Sequence, residues 1–327
     1  MAKSARAPLA LAHLLRSALA WKAIDPAVLA LTGKGRIAVK LADPLPRQSR
    51  QGLAAFAIGL SVCGAVAAAD KPWIEVKSQH FTVLSNAGDK QARRIAWQLE
   101  QVRATFQALW PSAKLQSGKP FVAFAVKDEA TMKQLVPEYW ERKGGIRPAG
   151  MFVSGSDRHY IATRVDISEP DQARVNPYYG VYQGYVTKLL DATAGFRMPL
   201  WLYRGMMQLL GNTVVQSNEV LIGALIPWHF ETLRQRSRLP LRTLFAVDRR
   251  SPEYLDEGRR PVFDAESWAL CHYLMFGNNG ANAQRFSVFM NMLAERNDLE
   301  TAMKEAYGGV DAVDKAFSYY LGQQLLT

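Results

Sequence analysis

The chain has 327 residues, of which 49% are hydrophobic and 21% are charged. This composition can bury a sizeable core, and it excludes a disordered tail, a collagen and a coiled coil. The formal net charge is +11, but residues 1–69 hold nine Lys and Arg against two Asp and Glu, so residues 70–327 carry only +4. Because no dense basic stripe remains in that larger part, we expect no nucleic-acid partner.

An uncharged, Ala-rich stretch at residues 51–69 follows a basic flank and ends in small residues. This layout is typical of a secretory signal peptide, with Ala67 and Ala69 at the positions that a signal peptidase recognises. We therefore predict a signal peptide at 45–69, cleavage after Ala69, and export to the periplasm or the extracellular space. Two alternatives stay open, a lipid anchor on Cys63 and an uncleaved membrane helix, which would then be the only membrane contact.

The predicted signal peptide begins unusually far from the first residue, and no Met lies between Met1 and Met132. We interpret residues 1–44 as a spurious extension upstream of the true translation start. The exported domain then comprises residues 70–327. It contains one cysteine, Cys271, so an intramolecular disulfide is excluded after cleavage.

Residues 70–166 alternate between strand and helix patterns. β-branched and aromatic residues predict strands at 73–77, 80–84 and 120–126, and a hairpin at 150–153 and 160–165. Apolar residues that recur every three or four positions predict an amphipathic helix at 89–109, and a second helix is predicted from 129 to about 142. These elements form a small α+β layer.

Residues 167–327 are predicted to form a mostly helical layer. Helical patterns occur at 177–194, 200–212, 228–236, 264–276, 282–296, 299–307 and 311–323. Only the intervening stretch 214–226 has a pattern typical of strands. We therefore predict the α+β class, with the two layers packed as one unit.

Two helical segments hold the most specific motifs. They read Tyr182-Gln-Gly-Tyr-Val-Thr-Lys-Leu-Leu190 and Trp201-Leu-Tyr-Arg-Gly-Met-Met-Gln-Leu-Leu-Gly-Asn-Thr213. Here the chain resembles the peptidase MA-like family of secreted bacterial proteins, zinc peptidases of the gluzincin type. Members read Tyr-His-Glu-Tyr-Val-His-Leu-Leu and Trp-Leu-x-Glu-Gly-x-Ala-Glu-x-x-Gly-Asn-Thr. Matching framework motifs, from 73 to about 320, are Trp73-Ile-Glu-Val-Lys77, Pro148-Ala-Gly150 and Ser267-Trp-Ala-Leu-x-His-Tyr-Leu274.

The resemblance implies a gluzincin-like metallopeptidase fold and a zinc site, but the chain departs from the family at the positions that carry the chemistry. The two zinc-binding His positions are Gln183 and Thr187, and the general-base position is Gly184. The carboxylate of the second segment is replaced by Arg204, and the Glu that follows one turn later by Gln208. None of these five is a usual zinc ligand or a base near neutral pH, and the Arg204 cation would repel a divalent ion. We therefore predict no metal, no cofactor and no catalytic residue.

The leading hypothesis is an exported pseudopeptidase, a non-enzyme that binds a peptide or protein partner in the former cleft. The cleft candidates are Tyr182, Gln183, Tyr185, Arg204, Gln208 and His272. Two alternatives stay open: an active zinc metallopeptidase with ligands at other positions, and a purely structural relic with a filled cleft.

Three local questions also stay open from the sequence. Arg204 either pairs with a carboxylate such as Glu266 or points into solvent. Gly184 is either a replaced functional residue or a close-packing site. His272 is either a cleft residue or, as we favour, a hydrogen-bonded structural histidine.

Overall fold

The computed structural model of the chain describes residues 29–32, 36–40, 72–116, 118–141, 147–167, 175–193, 198–216, 219–296 and 298–325. The predicted signal peptide at 45–69 lies outside the described residues. So does most of the predicted extension at 1–44, apart from two short strands.

A small four-stranded sheet joins these two strands to the middle of the chain. It contains β1 (Leu29–Thr32), β2 (Arg36–Lys40), β8 (Val214–Val215) and β9 (Glu219–Ile222), in the order β1-β2-β9-β8 and antiparallel throughout. The strand-like pattern at 214–226 thus corresponds to β8 and β9.

The larger sheet has five strands in the order β3-β4-β5-β7-β6. They are β3 (Ile74–Lys77), β4 (Phe81–Ser85), β5 (Phe121–Val126), β6 (Gly150–Ser154) and β7 (His159–Arg164). The three inner strands are parallel, and each edge strand is antiparallel to its neighbour. Central β5 is buried along almost its whole length, as expected for a parallel strand covered on both faces, whereas edge strand β6 has no fully buried residue.

Helix α1 (Asp89–Leu109) packs on this sheet through the predicted stripe of apolar residues, from Ile95 to Leu109. Helix α2 (Glu129–Leu135) begins where the Asp128 side chain accepts a hydrogen bond from the Thr131 backbone N at 2.8 Å. The prediction that this helix continues to about 142 is wrong. It ends because a residue before proline disfavours the helical conformation, and a separate turn, α3 (Glu138–Glu141), follows Pro137.

The remaining helices build the second layer. They are α4 (Tyr179–Ala192), α5 (Leu200–Gly211), α6 (Pro227–Gln235), α7 (Leu241–Ala246), α8 (Pro252–Leu255), α9 (Arg260–Phe276), α10 (Asn282–Arg296), α11 (Leu299–Tyr307) and α12 (Val310–Tyr320). The short helices α7 and α8 were not predicted. Helix α9 begins four residues before its predicted start, with Pro261 in the first turn, where proline is favoured. None of the described helices combines the length and the apolar character needed to cross a bilayer.

Helix α9 is the central element of the second layer. Every residue from 265 to 276 is buried, and the helix packs against α5, α6 and α10. A helix buried on all sides forms the core of its layer. One continuous apolar cluster joins this core to the larger sheet, so the two layers pack together. The mixed helix-and-strand class predicted from the sequence is confirmed.

Candidate functional site

Close packing of helices brings the motif segments together. On α5, a Cβ at Gly205 would overlap with the backbone oxygen of Ser267 and with Sγ of Cys271 on α9. At the end of α5, a Cβ at Gly211 would lie 2.5 Å from Cγ of Gln183 on α4. These approaches require residues without a side chain. As a result, the polar side chains of α4, α5 and α9 meet in one region.

Gly184, at the general-base position of the resemblance, is a close-packing site. A Cβ at this position would lie 2.5 Å from both Cβ and Cγ of Phe152 on edge strand β6. The phenylalanine ring therefore covers this face of α4. Of the two alternatives for Gly184, the structure shows close packing.

Arg204 forms a bidentate ion pair with Asp264. Its Nε donates to Oδ1 at 2.9 Å and its Nη2 donates to Oδ2 at 2.7 Å. The two side chains are 22% and 13% exposed, so the pair is largely shielded from solvent.

The prediction that Arg204 pairs with a carboxylate is confirmed, but the suggested partner Glu266 is wrong, and so is the solvent-facing alternative. Glu266 accepts a hydrogen bond from the Leu239 backbone N at 2.8 Å and lies 3.5 Å from Nη1 of Arg238. Asp264 and Glu266 are two positions apart on one helix, so their side chains point to different sides of α9.

A hydrogen-bonded chain continues from Asp264 to a histidine on α6. The Gln208 Nε2 group donates to the backbone oxygen of Asp264 at 3.3 Å, and its Oε1 is hydrogen-bonded to Nε2 of His229. A backbone carbonyl can only accept, and this fact assigns the orientation of the Gln208 amide. Nε2 of His229 is then the protonated ring nitrogen. Burial, together with the Arg204 charge, lowers the pKa of His229 to about 3, so the ring is neutral at physiological pH.

These side chains form the wall of a cavity of about 510 Å³ between α4, α5, α6 and the start of α9. Its volume is in the range of pockets that hold small molecules or side chains. The lining residues are Tyr179, Gln183, Gln208, Trp228, His229, Thr232, Glu257, Arg260, Pro261 and Asp264. Trp228 is 49% exposed and makes an edge-to-face contact with Tyr179 at 5.6 Å between ring centroids. The cavity thus has an aromatic side that is open to solvent.

Two of the six predicted cleft residues line this cavity, and a third lies behind its wall. Gln183 and Gln208 line it directly, and Arg204 contacts the lining residue Asp264. Thr187 is directed elsewhere, since its hydroxyl donates to the backbone oxygen of Gln183 at 2.8 Å.

The other three cleft candidates are part of the core. Tyr182 is buried, and the Tyr185 ring contacts Phe81 and Phe121. His272 is hydrogen-bonded to the Tyr320 hydroxyl at 2.7 Å through Nδ1 and to the Gly223 backbone oxygen at 3.1 Å through Nε2. The Tyr185 ring thus packs α4 on the larger sheet, His272 joins elements of the helical layer, and none of the three rings lines the cavity.

The residues at the implied zinc positions do not fit a zinc ion. They supply an amide, a hydroxyl that is bonded to its own helix, and a guanidinium that is paired with a carboxylate. Across the described part of the chain, no group of three or more His, Cys, Asp or Glu is arranged to hold a metal ion.

Sequence reasoning missed two residues that define the cavity, Trp228 and His229. No spacing connects them to the motif segments, because α6 is brought there only by packing against α9. The histidines His80 and His159 lie elsewhere, bonded to Glu100 at 2.7 Å and to Ser154 at 3.1 Å respectively.

No family model matches the sequence, and neither does any curated protein. The resemblance to the peptidase MA-like family therefore stays a prediction, and the cavity is interpreted from its own geometry.

Proposed function

We propose that this protein is an exported pseudopeptidase with a gluzincin-like domain that binds a peptide or protein partner without cleaving it. The observation that carries the proposal is the cavity lined by Gln183 and Gln208, whose wall also contains a neutral imidazole and the carboxylate of Asp264. Such groups can position a ligand through hydrogen bonds.

The cavity also supports this proposal over a purely structural relic. A filled cleft would have buried methionines and tyrosines in this space. Met206 is instead part of the core cluster, and about 510 Å³ remains open next to a half-exposed Trp228. Half-exposed tryptophans are frequent anchors in polypeptide recognition, which supports a binding role.

The environment of Cys271 does not support a catalytic role for its thiol. Cys271 is fully buried, and burial raises the pKa of its thiol well above the ordinary value. A protonated, inaccessible thiol is a packing residue and not a nucleophile.

Selection from a random-sequence peptide library tests the proposal. Peptides that bind the full chain are then measured against Trp228→Ala and against the matched control Trp73→Ala, which alters a tryptophan of similar exposure (46%) that packs on Phe124. We expect roughly tenfold weaker binding to Trp228→Ala and no change for Trp73→Ala. Absence of selected peptides, or equal binding to both variants, would overturn a binding role at this cavity. Cleavage of the peptides that a chelator abolishes would favour the alternative hypothesis of an active zinc peptidase.

A further inference from the structure

The cavity wall contains a hydrogen-bond acceptor for which the described residues supply no donor. His229 is 4% exposed, and its Nε2 is bonded to Gln208. None of the described residues donates a hydrogen bond to its Nδ1. A ligand that supplies a donor to this nitrogen therefore adds a hydrogen bond that the protein alone does not make.

The hydrogen-bonded network keeps this nitrogen an acceptor. The Asp264 carbonyl orients the Gln208 amide, and the amide oxygen keeps the ring proton on Nε2 of His229. Because the ring is not protonated near neutral pH, Nδ1 offers a lone pair under all physiological conditions. A ligand must therefore bring an N–H or O–H group, and a carboxylate would be disfavoured.

The charges around the cavity favour a neutral donor. Glu257 and Asp264 provide two carboxylates, and Arg260 and Arg204 provide two guanidinium groups, so the formal charges cancel. The Arg204 charge already disfavours a proton on His229. An ammonium group at Nδ1 would experience the same repulsion.

The rest of the cavity fits a flat apolar group. Trp228, Tyr179 and Pro261 provide ring surfaces, and aromatic rings pack on such surfaces face to edge or in offset stacks. Burial and the nearby Asp264 carboxylate raise the pKa of Tyr179, so its phenol stays neutral as well. Gln183, at the same wall, offers both an amide donor and an amide acceptor, which match a peptide backbone.

We infer that the cavity binds a polypeptide through a tyrosine or tryptophan side chain, whose ring packs on Trp228 and whose O–H or N–H donates to Nδ1 of His229. This inference rests on the proposed function and names the side chain that the cavity selects. Selection follows because a tyrosine or tryptophan side chain can form this hydrogen bond, whereas a phenylalanine ring cannot.

Calorimetric titration of the full chain with N-acetyl-tyrosinamide, N-acetyl-phenylalaninamide and N-acetyl-lysinamide tests the inference. We expect the tyrosine amide to bind roughly tenfold more tightly than the phenylalanine amide, the value of one added hydrogen bond, and the lysine amide to bind most weakly. In His229→Phe the preference for tyrosine over phenylalanine should disappear.

Because His229→Phe leaves Gln208 without its donor, a second measurement uses the unaltered protein. With ¹⁵N-labelled histidine, the Nδ1 resonance of His229 should shift on addition of the tyrosine amide and stay in place with the phenylalanine amide.

The outcomes separate this inference from the proposed function. Equal affinity for the two aromatic amides, or no shift of the Nδ1 resonance, would overturn the inference. If library peptides still bind in a Trp228-dependent manner, the proposed function survives that result. If neither the amides nor the library peptides bind, both fail together.

Discussion

Asp264 organises the wall of the cavity with two different groups. Its carboxylate holds the Arg204 guanidinium, and its backbone oxygen orients Gln208, which in turn orients His229. The cation at position 204 is thereby neutralised within the fold. Position 204 thus has a structural partner, and this explains how an arginine is tolerated beside a largely apolar cavity.

Substitution of two glycines on the same helix tests the close packing of α4. We expect Gly184→Ala to lower the free energy of unfolding by about 1 to 3 kcal/mol, because the new methyl group overlaps with Phe152. Gly180→Ala is the matched control, since a Cβ there meets nothing within 4 Å. That variant should be neutral or more stable by at most about 1 kcal/mol. Urea denaturation measures both, and equal effects would contradict the packing account.

At the scale of elements, segment 236–240 connects α6 to α7 and is held by a buried carboxylate. Glu266 is 0% exposed and accepts from the Leu239 backbone N, while Arg238 lies 3.5 Å from Glu266 and 3.5 Å from Asp314 on α12. Arg238 also donates to the Ser318 hydroxyl at 2.8 Å. These contacts attach the segment that follows the cavity helix α6 to α9 and α12.

Titration of Glu266 should make stability depend on pH. Burial raises the pKa of Glu266 to about 7, whereas a glutamate in the unfolded chain has a pKa of about 4.3. The folded state therefore holds the proton more tightly, and this stabilisation is complete below about pH 4 and is lost as the pH rises to about 7. Glu266→Gln removes the effect. Between pH 4 and 8, the free energy of unfolding of the wild type should fall relative to that of the variant, and a constant difference would show that Glu266 titrates normally.

The secondary-structure elements differ in how well they could be predicted from the sequence. The stripe of α1 follows from apolar periodicity alone, so its bounds 89–109 are confirmed. The short helices α7 and α8 have too few turns to show a period, and they were missed. The sequence suggested a carboxylate partner for Arg204, but it does not give the rotation of α9, so it could not distinguish Asp264 from the suggested Glu266. The same lack of tertiary information concealed Trp228 and His229.

At the scale of the whole molecule, the predicted cleavage conflicts with the position of the N-terminal strands β1 and β2 in the small sheet. The backbone of β2 pairs with β9, from Ile37 with Ile222 to Lys40 with Glu219. Cleavage after Ala69 would remove β1 and β2 and leave that side of β9 open. The stability of the exported domain would then depend on the larger sheet and the helical core, which share one apolar cluster.

N-terminal sequencing of the protein recovered from outside the cytoplasm tests the predicted processing. The expected first residue is Asp70, because small side chains at 67 and 69 suit the peptidase. A mature chain that still contains residues 29–40 would contradict the signal peptide, and it would make the β2 pairing a part of the working protein.

We propose that this fold has a binding cavity where the resemblance implies a zinc centre. Elemental mass spectrometry of the purified full chain, produced without a metal-binding tag, tests it most directly. The amide, hydroxyl and ion-paired guanidinium at positions 183, 187 and 204 predict a zinc content near zero per chain. A zinc content near one per chain, retained after dialysis, would contradict the account and would show that the chain holds the metal through other residues.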